Sequence, residues 1–353
     1  MAEKKLMKGN EAIVEAALRA GCKFYAGYPI TPQNEIPEYM SKRAPDFDAI
    51  FIQAEAELSA INMIFGASST GVRCMTSSSS PGISLKQEGI SYLAGGELPC
   101  VIVNIVRGGP GLGNIRAAQS DYFQSTRGGG HGDYRLIVLA PSTSQELYDL
   151  TMNAFDYADY YRNPVLILGD GIIGQIVEPV ELKEYKPIFD NFPSKKDWIL
   201  DGCKDREPHV VKTLYLRPTD SLMKHNIHLQ EKYDKISNEI QSCEEYQTED
   251  ADLIIAAYGI TARVCREAVE VARKQGMKVG MLRPITLWPF PEKTFKKFAG
   301  KDILVVEMSN GQFIEDVKLS TECKSKIHFL GHGGGWYPNT DKVMKKIKEV
   351  KES

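Results

Sequence analysis

The chain has 353 residues, 42% hydrophobic and 25% charged, with a formal net charge of −3. That length exceeds what one hydrophobic core usually serves, so two domains are expected, and a near-neutral balance without a basic stripe argues against nucleic acid as the main partner. No apolar run approaches the roughly 20 residues of a membrane span, and no apolar h-region follows the lysines of residues 1–9, so a soluble, cytoplasmic protein without a signal peptide is expected. In chain order, EAIVEAALRA (11–20) has the period of an amphipathic helix, with Asn10 in the N-cap position. KFYAGYPI reads as a strand running into a proline-bounded turn. AIFIQ (49–53), RCMTS (73–77), CVIVNIV (100–106), RLIVLA (135–140) and PVLILGD (164–170) read as further strands, separated by helices over 56–68, 83–95 and 144–161. Such alternation implies a mainly parallel sheet covered by helices on both faces.

Between 181 and 250 the periodicity fades among prolines and charges, which reads as an irregular connecting region packed partly on the surface. From 251 to 353 the pattern resumes, with strands in DLIIAAYG, KVGMLRP, DILVVEM and KIHFLG and a last helix from about residue 339. The expected architecture is α/β: two doubly wound domains, 1–180 and 251–353. Ligands of open α/β sheets sit beyond the carboxyl ends of the strands, so chemistry is sought in the loops 27–34, 54–57, 77–84 and 107–133. The cysteines, at 22, 74, 100, 203, 243, 265 and 323, form no C-x-x-C pair. They read as isolated thiols, and no iron–sulfur cluster is expected on this chain.

Within QAEAELSAIN, Glu55 and Glu57 fall in the first turn of a helix. Carboxylates favour that end by about 0.3–1 kcal/mol, which accounts for most such residues. Spacing separates the pair, however. Glu57 shares a face with Ile61 and Ile64, whereas Glu55 shares one with Ser59, Asn62 and Gly66. A carboxyl group held against apolar neighbours is suited to sharing a proton with a ring nitrogen. VRGGPGLGN (106–114) follows a strand, but Pro110 interrupts it and the spacing is not that of a dinucleotide fingerprint. A flexible or ligand-hugging loop fits it better. Arg107 at the strand end offers either a planar fork to a carboxylate or an ordinary surface ion pair. TSSSSPGIS lacks the nucleophile elbow of serine hydrolases and fits a turn into a helix N-terminus, whose N–H groups suit an acceptor. GDG (169–171) is half of a magnesium–diphosphate motif, but Asn191 comes too soon to complete it. His131, in a glycine loop, reads as a surface residue.

Taken together, GYPITPQNEI, QAEAELSAINMIFGAS, TSSSSPGISLKQEGISYLAGGELPCVIVNIVRGGPG and LRPITLWPFP resemble the 2-oxoacid:ferredoxin oxidoreductases, over nearly the whole chain. The likeness is to the subunit that carries a pyrimidine-binding domain of the thiamine diphosphate-binding fold and a transketolase C-terminal-like domain. PITPQNEIPEYMS, SSSSPGISLKQEGISYLAG and GGGHGDYR look most like the 2-ketoisovalerate (branched-chain) branch, with the 2-oxoglutarate branch close.

The resemblance implies that Glu57 is catalytic, bonding N1′ of the aminopyrimidine ring and promoting loss of the thiazolium C2 proton. The 2-oxoacid then loses CO2, gives two electrons to ferredoxin and leaves as an acyl-CoA. Thr31 and Arg107 correspond to the substrate-facing threonine and arginine. Tyr28, Pro29, Ile30, Thr31, Glu57, Ser80 and Pro81 would contact the cofactor. Magnesium and the iron–sulfur clusters would lie on partner subunits: a diphosphate-binding catalytic subunit, a gamma-type subunit and a ferredoxin-like one, with no metal held here. A non-catalytic assembly subunit stands as an alternative. A transketolase-like enzyme working without ferredoxin should carry its own diphosphate site, which this chain lacks.

Overall fold

The computed structural model describes residues 4–352 apart from 196 and 204. The first half runs β1 (Lys4–Lys8), α1 (Gly9–Arg19), β2 (Phe24–Gly27), α2 (Glu35–Arg43), β3 (Ile50–Gln53), α3 (Glu57–Ser69), β4 (Cys74–Ser78), α4 (Ser80–Gly95), β5 (Val101–Val106) and α5 (Tyr122–Thr126). It continues with β6 (Ile137–Leu139), α6 (Ser144–Tyr161), β7 (Val165–Asp170), α7 (Gly171–Gln175) and β8 (Val177–Glu181). Then come α8 (Ser221–Glu239), β9 (Cys243–Tyr246), β10 (Leu253–Ala256), α9 (Gly259–Lys274), β11 (Val279–Pro284), β12 (Thr286–Trp288), α10 (Glu292–Lys296), β13 (Asp302–Glu307), α11 (Phe313–Ser320), β14 (Ile327–Gly331) and α12 (Thr340–Lys351).

A seven-stranded sheet has the order β12-β6-β7-β5-β4-β2-β3 and a five-stranded sheet the order β14-β13-β10-β11-β9. Within them only the β12–β6 and β9–β11 pairings are antiparallel. The period-2 logic of strands is visible in the packing. Ile102, Val138, Leu166 and Leu168 face one core with Ile61, Ile83 and Ile90 of α3 and α4. Val101, Val103, Ile105, Ile137 and Ile167 face the other with Ile13, Leu147 and Phe155 of α1 and α6. The first of these cores continues into the second sheet through Ile254, Leu282, Ile303 and Phe313, so the two sheets share apolar contacts.

Some local expectations are corrected. The connecting region 181–250 is not irregular throughout, because it contains α8, a 19-residue helix, and β9. The apolar positions Leu229, Tyr233 and Ile236 are buried, but charged residues between them dilute the periodic signal. Asn10 is not the N-cap of α1; Lys8 holds that position. Asn10 instead lies inside the helix, fully buried, and its amide donates to the carbonyl of Pro32 at 2.9 Å. Among the described residues, no helix is long and apolar enough to cross a membrane, and the cysteines are free thiols.

Gln119 knots the two sheets together. Its backbone N–H donates to Met308 O at 2.9 Å and its Nε2 to Tyr258 O at 2.9 Å. Its Oε1 accepts from Met308 N and from Thr261 Oγ1, both at 2.9 Å. Gln119→Ala strips the side-chain bonds and leaves buried partners without water. A loss of about 2–3 kcal/mol is expected, read as a lower urea midpoint; an unchanged midpoint would show that the knot is energetically idle.

Candidate functional site

The carboxyl ends of β2, β4 and β5 meet in one place. The loop after β2 is held from several sides. Gln33 Nε2 donates to Tyr28 O at 3.2 Å, and Gln175 Nε2 donates to Pro32 O at 2.8 Å. Arg107 Nη1 donates to Thr31 O at 3.0 Å, and Asn34 Nδ2 donates to the Thr31 hydroxyl at 3.2 Å. Tyr28 and Pro29 stay exposed and Ile30 half-buried. The proline-bounded turn is thus anchored mainly through its backbone, with Tyr28 and Pro29 facing outward and Pro32 buried.

Glu57 is the first residue of α3 and is only 6% exposed. It makes no hydrogen bond or ion pair with any described residue. Glu55 lies before the helix, not in its first turn, and accepts from Ser59 Oγ at 2.5 Å in solvent. The α4 glycines bring Glu57 into its pocket. A Cβ on Gly82 would stand 2.6 Å from Glu57 Oε1 and 2.1 Å from Ser78 Oγ, and one on Gly89 would stand 2.6 Å from Ile61 Cγ2. Seven residues apart, the two glycines lie along one face of α4, and α3 packs directly on that face.

The serine run supplies the rest of the wall. The hydroxyls of Ser78 and Ser79 are buried with no partner. Ser80, at φ 20°, donates its backbone N–H to Asn104 Oδ1 at 3.1 Å. Asn104 is itself fixed by donating to Asp121 Oδ2 at 2.8 Å. Ser80 Oγ accepts from Arg107 N–H at 3.0 Å, and Pro81 occupies the first turn of α4. Thr31, Arg107 and Ser80 therefore form one connected group, and Ser78 to Gly82 join it to Glu57.

Arg107 departs from the simplest expectation. It is 7% exposed, and its Nη atoms are committed to the carbonyls of Thr31 and Leu112, each at 3.0 Å. Its Nε is buried and without a partner. The guanidinium is not an open fork. It ties the glycine loop to the proline turn and leaves its buried Nε–H unpaired.

The glycine loop closes on itself. A Cβ at Gly113, where φ is +63°, would stand 1.7 Å from Gly108 O. Asn114 Nδ2 then reaches Gly334 O at 3.1 Å, joining this loop to the GHGGGWYP segment of the second sheet. The GDG segment serves as a cap: Asp170 accepts from Ile172 N at 2.9 Å and Ile173 N at 3.1 Å. Burial pushes its carboxyl up to about 6, against the pull of those backbone bonds. Among the described residues, no cluster of His, Cys, Asp or Glu is arranged to hold a metal. His131 is exposed.

Sequence reasoning missed Lys86. It is fully buried on α4, with Nζ donating to Thr76 Oγ1 at 2.5 Å and to Ser77 O at 3.3 Å. Burial pulls it down to about 7, partly opposed by the Glu57 charge. A signal was available: Ile83, Lys86 and Ile90 share one helical face, and a charge on an apolar stripe is informative. Asn104, polar within VIVNIV, carried a similar signal.

Residues 15–245 match the family described as pyruvate flavodoxin/ferredoxin oxidoreductase, thiamine diphosphate-binding, and residues 251–343 match pyruvate:ferredoxin oxidoreductase core domain II. The chain belongs to this oxidoreductase family. The ketoisovalerate oxidoreductase subunit VorB of Methanothermobacter marburgensis is 46% identical to this family member over 98% of the chain and 97% of its own length. The 2-oxoglutarate synthase subunit KorA of Methanocaldococcus jannaschii is 36% identical over 94% and 95%. In three dimensions the chain is similar to the 2-oxoglutarate:ferredoxin oxidoreductase from Magnetococcus marinus, with TM-score 0.88 and 25% identity. That likeness covers 99% of this chain and 65% of the longer one.

The pocket suits the aminopyrimidine ring that a thiamine-dependent oxidoreductase must hold. It offers a buried carboxyl group without a partner, hydroxyls without partners on Ser78 and Ser79, and a glycine where any side chain would fill the space.

Proposed function

We propose that this chain is the pyrimidine-side subunit of a 2-ketoisovalerate:ferredoxin oxidoreductase, which converts the 2-oxoacid and coenzyme A to acyl-CoA and CO2 and reduces ferredoxin. The observation that carries the reading is Glu57: buried, unpartnered, and pressed against Gly82 at the carboxyl ends of the strands. Thiamine diphosphate, when bound, supplies the carbon nucleophile and electron sink for decarboxylation. This chain's share is to bind and orient the pyrimidine. Glu57 holds or yields a proton at N1′; Tyr28, Pro29, Ile30, Thr31, Ser80 and Pro81 line the approach; Arg107 keeps the Thr31 backbone in place for substrate. Residues 1–180 act as the pyrimidine-binding domain and 251–353 as the transketolase C-terminal-like domain, with 181–250 connecting them.

The diphosphate, magnesium and iron–sulfur clusters belong in this reading to partner subunits of diphosphate-binding, gamma and ferredoxin-like types, within a cytoplasmic complex. Exposed apolar residues support a partner at this face. Leu58 adjoins Glu57, Leu85 lies one turn from Gly82, and Leu112 and Ile115 lie on the glycine loop; they are 49%, 58%, 80% and 65% exposed. The higher identity to the ketoisovalerate subunit than to the 2-oxoglutarate one supports the substrate. The test is to assay the assembled complex with 2-ketoisovalerate, 2-oxoglutarate and pyruvate side by side, with coenzyme A and a low-potential dye. The highest kcat/KM is expected for 2-ketoisovalerate. A preference for 2-oxoglutarate would move the chain to that branch, and dye reduction with none of them would end the reading.

A further inference from the structure

One buried charge is left over by the site as described. Lys86 lies one turn beyond Gly82 on α4, below the glycine that touches the Glu57 carboxyl. Its ammonium is sealed from solvent and fixed between Thr76 Oγ1 and Ser77 O. Thr76 Oγ1 can accept because it spends its own proton on Ala26 O at 2.7 Å. The groups that act on Lys86 are Glu57 from α3, Thr76 and Ser77 from β4, and the Cys100 thiol ahead of β5. Burial pushes that thiol up, so it stays neutral. Glu57 is therefore the one carboxylate acting on Lys86 through space, and Glu57 has no salt-bridge partner of its own among the described residues.

We propose that Lys86 is a positioning residue for Glu57: a buried ammonium on the face of α4 between Gly82, which meets Glu57, and Gly89, which meets Ile61 of the same helix α3. The proposal rests on the role given to Glu57 above. Two opposite charges in a site poor in water couple more strongly than they would at the surface. A partner that covers the pocket removes more water and tightens the coupling. The attraction favours the charged form of both groups. Without it, an isolated carboxylate in the same wall favours neutrality.

Two measurements on the chain alone test the coupling without cofactor. In the first, lysine Cε resonances of wild type and Glu57→Gln are titrated by NMR. The Lys86 resonance, identified by its absence from Lys86→Met because buried Lys232 is also lowered, to about 8, is expected to titrate at about 7 and to move lower in Glu57→Gln, where the carboxylate no longer helps retain the proton. In the second, thermal midpoints with and without Lys86→Met are compared over roughly pH 6–10, once in the wild-type background and once in the background of Glu57→Gln. A depressed lysine binds its proton more weakly folded than unfolded. Wild type should therefore gain stability over Lys86→Met as pH rises from about 7 toward the ordinary 10.5. With Glu57→Gln that rise should begin at lower pH. Identical pH dependence in both backgrounds, or a Lys86 resonance indifferent to Glu57, would overturn the proposal.

In the assembled complex, Lys86→Met should move the acid limb of kcat/KM upward by roughly one pH unit. A uniform drop with an unmoved profile would mean that Lys86 serves only packing. If Glu57→Gln keeps full turnover while the chain-alone coupling persists, the functional reading fails and the coupling stands.

Discussion

Glu57→Gln is expected to leave the chain folded and able to assemble, while turnover of the complex falls by about 1,000-fold. The amide has nearly the shape of the carboxyl group, so the close contact with Gly82 survives. No hydrogen bond is lost, because Glu57 makes none among the described residues. Stability should change little near neutral pH, because relief of the buried carboxylate is offset by the lost attraction for Lys86. What disappears is the capacity to hold and release a proton at the pyrimidine. The measurements are thermal midpoint, co-purification with partner subunits, and steady-state dye reduction. Near-normal turnover would count decisively against Glu57 as the catalytic group. Loss of assembly would point instead to a structural role for the residue.

Gly82→Ala tests the same site from the opposite wall. Its Cβ would come within 2.1 Å of Ser78 Oγ and 2.6 Å of Glu57 Oε1. Both atoms are ends of side chains that can turn away, so the helices need not part. The helix gains about 1 kcal/mol of propensity from Gly to Ala, which offsets much of the crowding. Turning away, however, carries the Glu57 carboxyl out of position, and a displacement near 1 Å costs about 100-fold in rate. We therefore expect kcat/KM to fall by about that factor, cofactor affinity to weaken, and the thermal midpoint to change little. Gly66→Ala is the control: it lies on the exposed side of α3, with nothing within 4 Å of its added Cβ. That variant should gain stability and keep full activity. If both glycine variants behave alike, the pocket is not as tightly filled as the geometry requires.

Local pattern carried the secondary structure a long way. The alternation of β-branched runs with helical stripes marked the parallel sheets, and 144–161 coincides with α6. The spacing of Glu57 to Ile61 and Ile64 assigned it to the inner face of α3, where it lies buried. These features depend on periods of two and 3.6 residues, which a short window of sequence contains. Local pattern failed for α8, whose apolar residues are interrupted by charge, and for Asn10, whose partner Pro32 is twenty-two positions away.

The contacts that join separate elements into the pocket depend on separations of that kind or longer, such as Arg107 to Thr31 and Glu57 to Gly82. β12 lies in the chain between β11 and β13 of the second sheet yet pairs with β6 of the first. Arg107 reads as a surface cation or an open fork until its Nη atoms are seen to reach Thr31 O and Leu112 O. Lys86 lies on the stripe of Ile83 and Ile90, but its partners Thr76 and Ser77 are set only when α4 docks on the sheet. A sequence states which residues repeat on which face, because that information lies within a turn or two of chain. Which faces then meet, and which charge is left without water, is decided when distant segments pack, since only the closed core sets the distances and excludes the solvent.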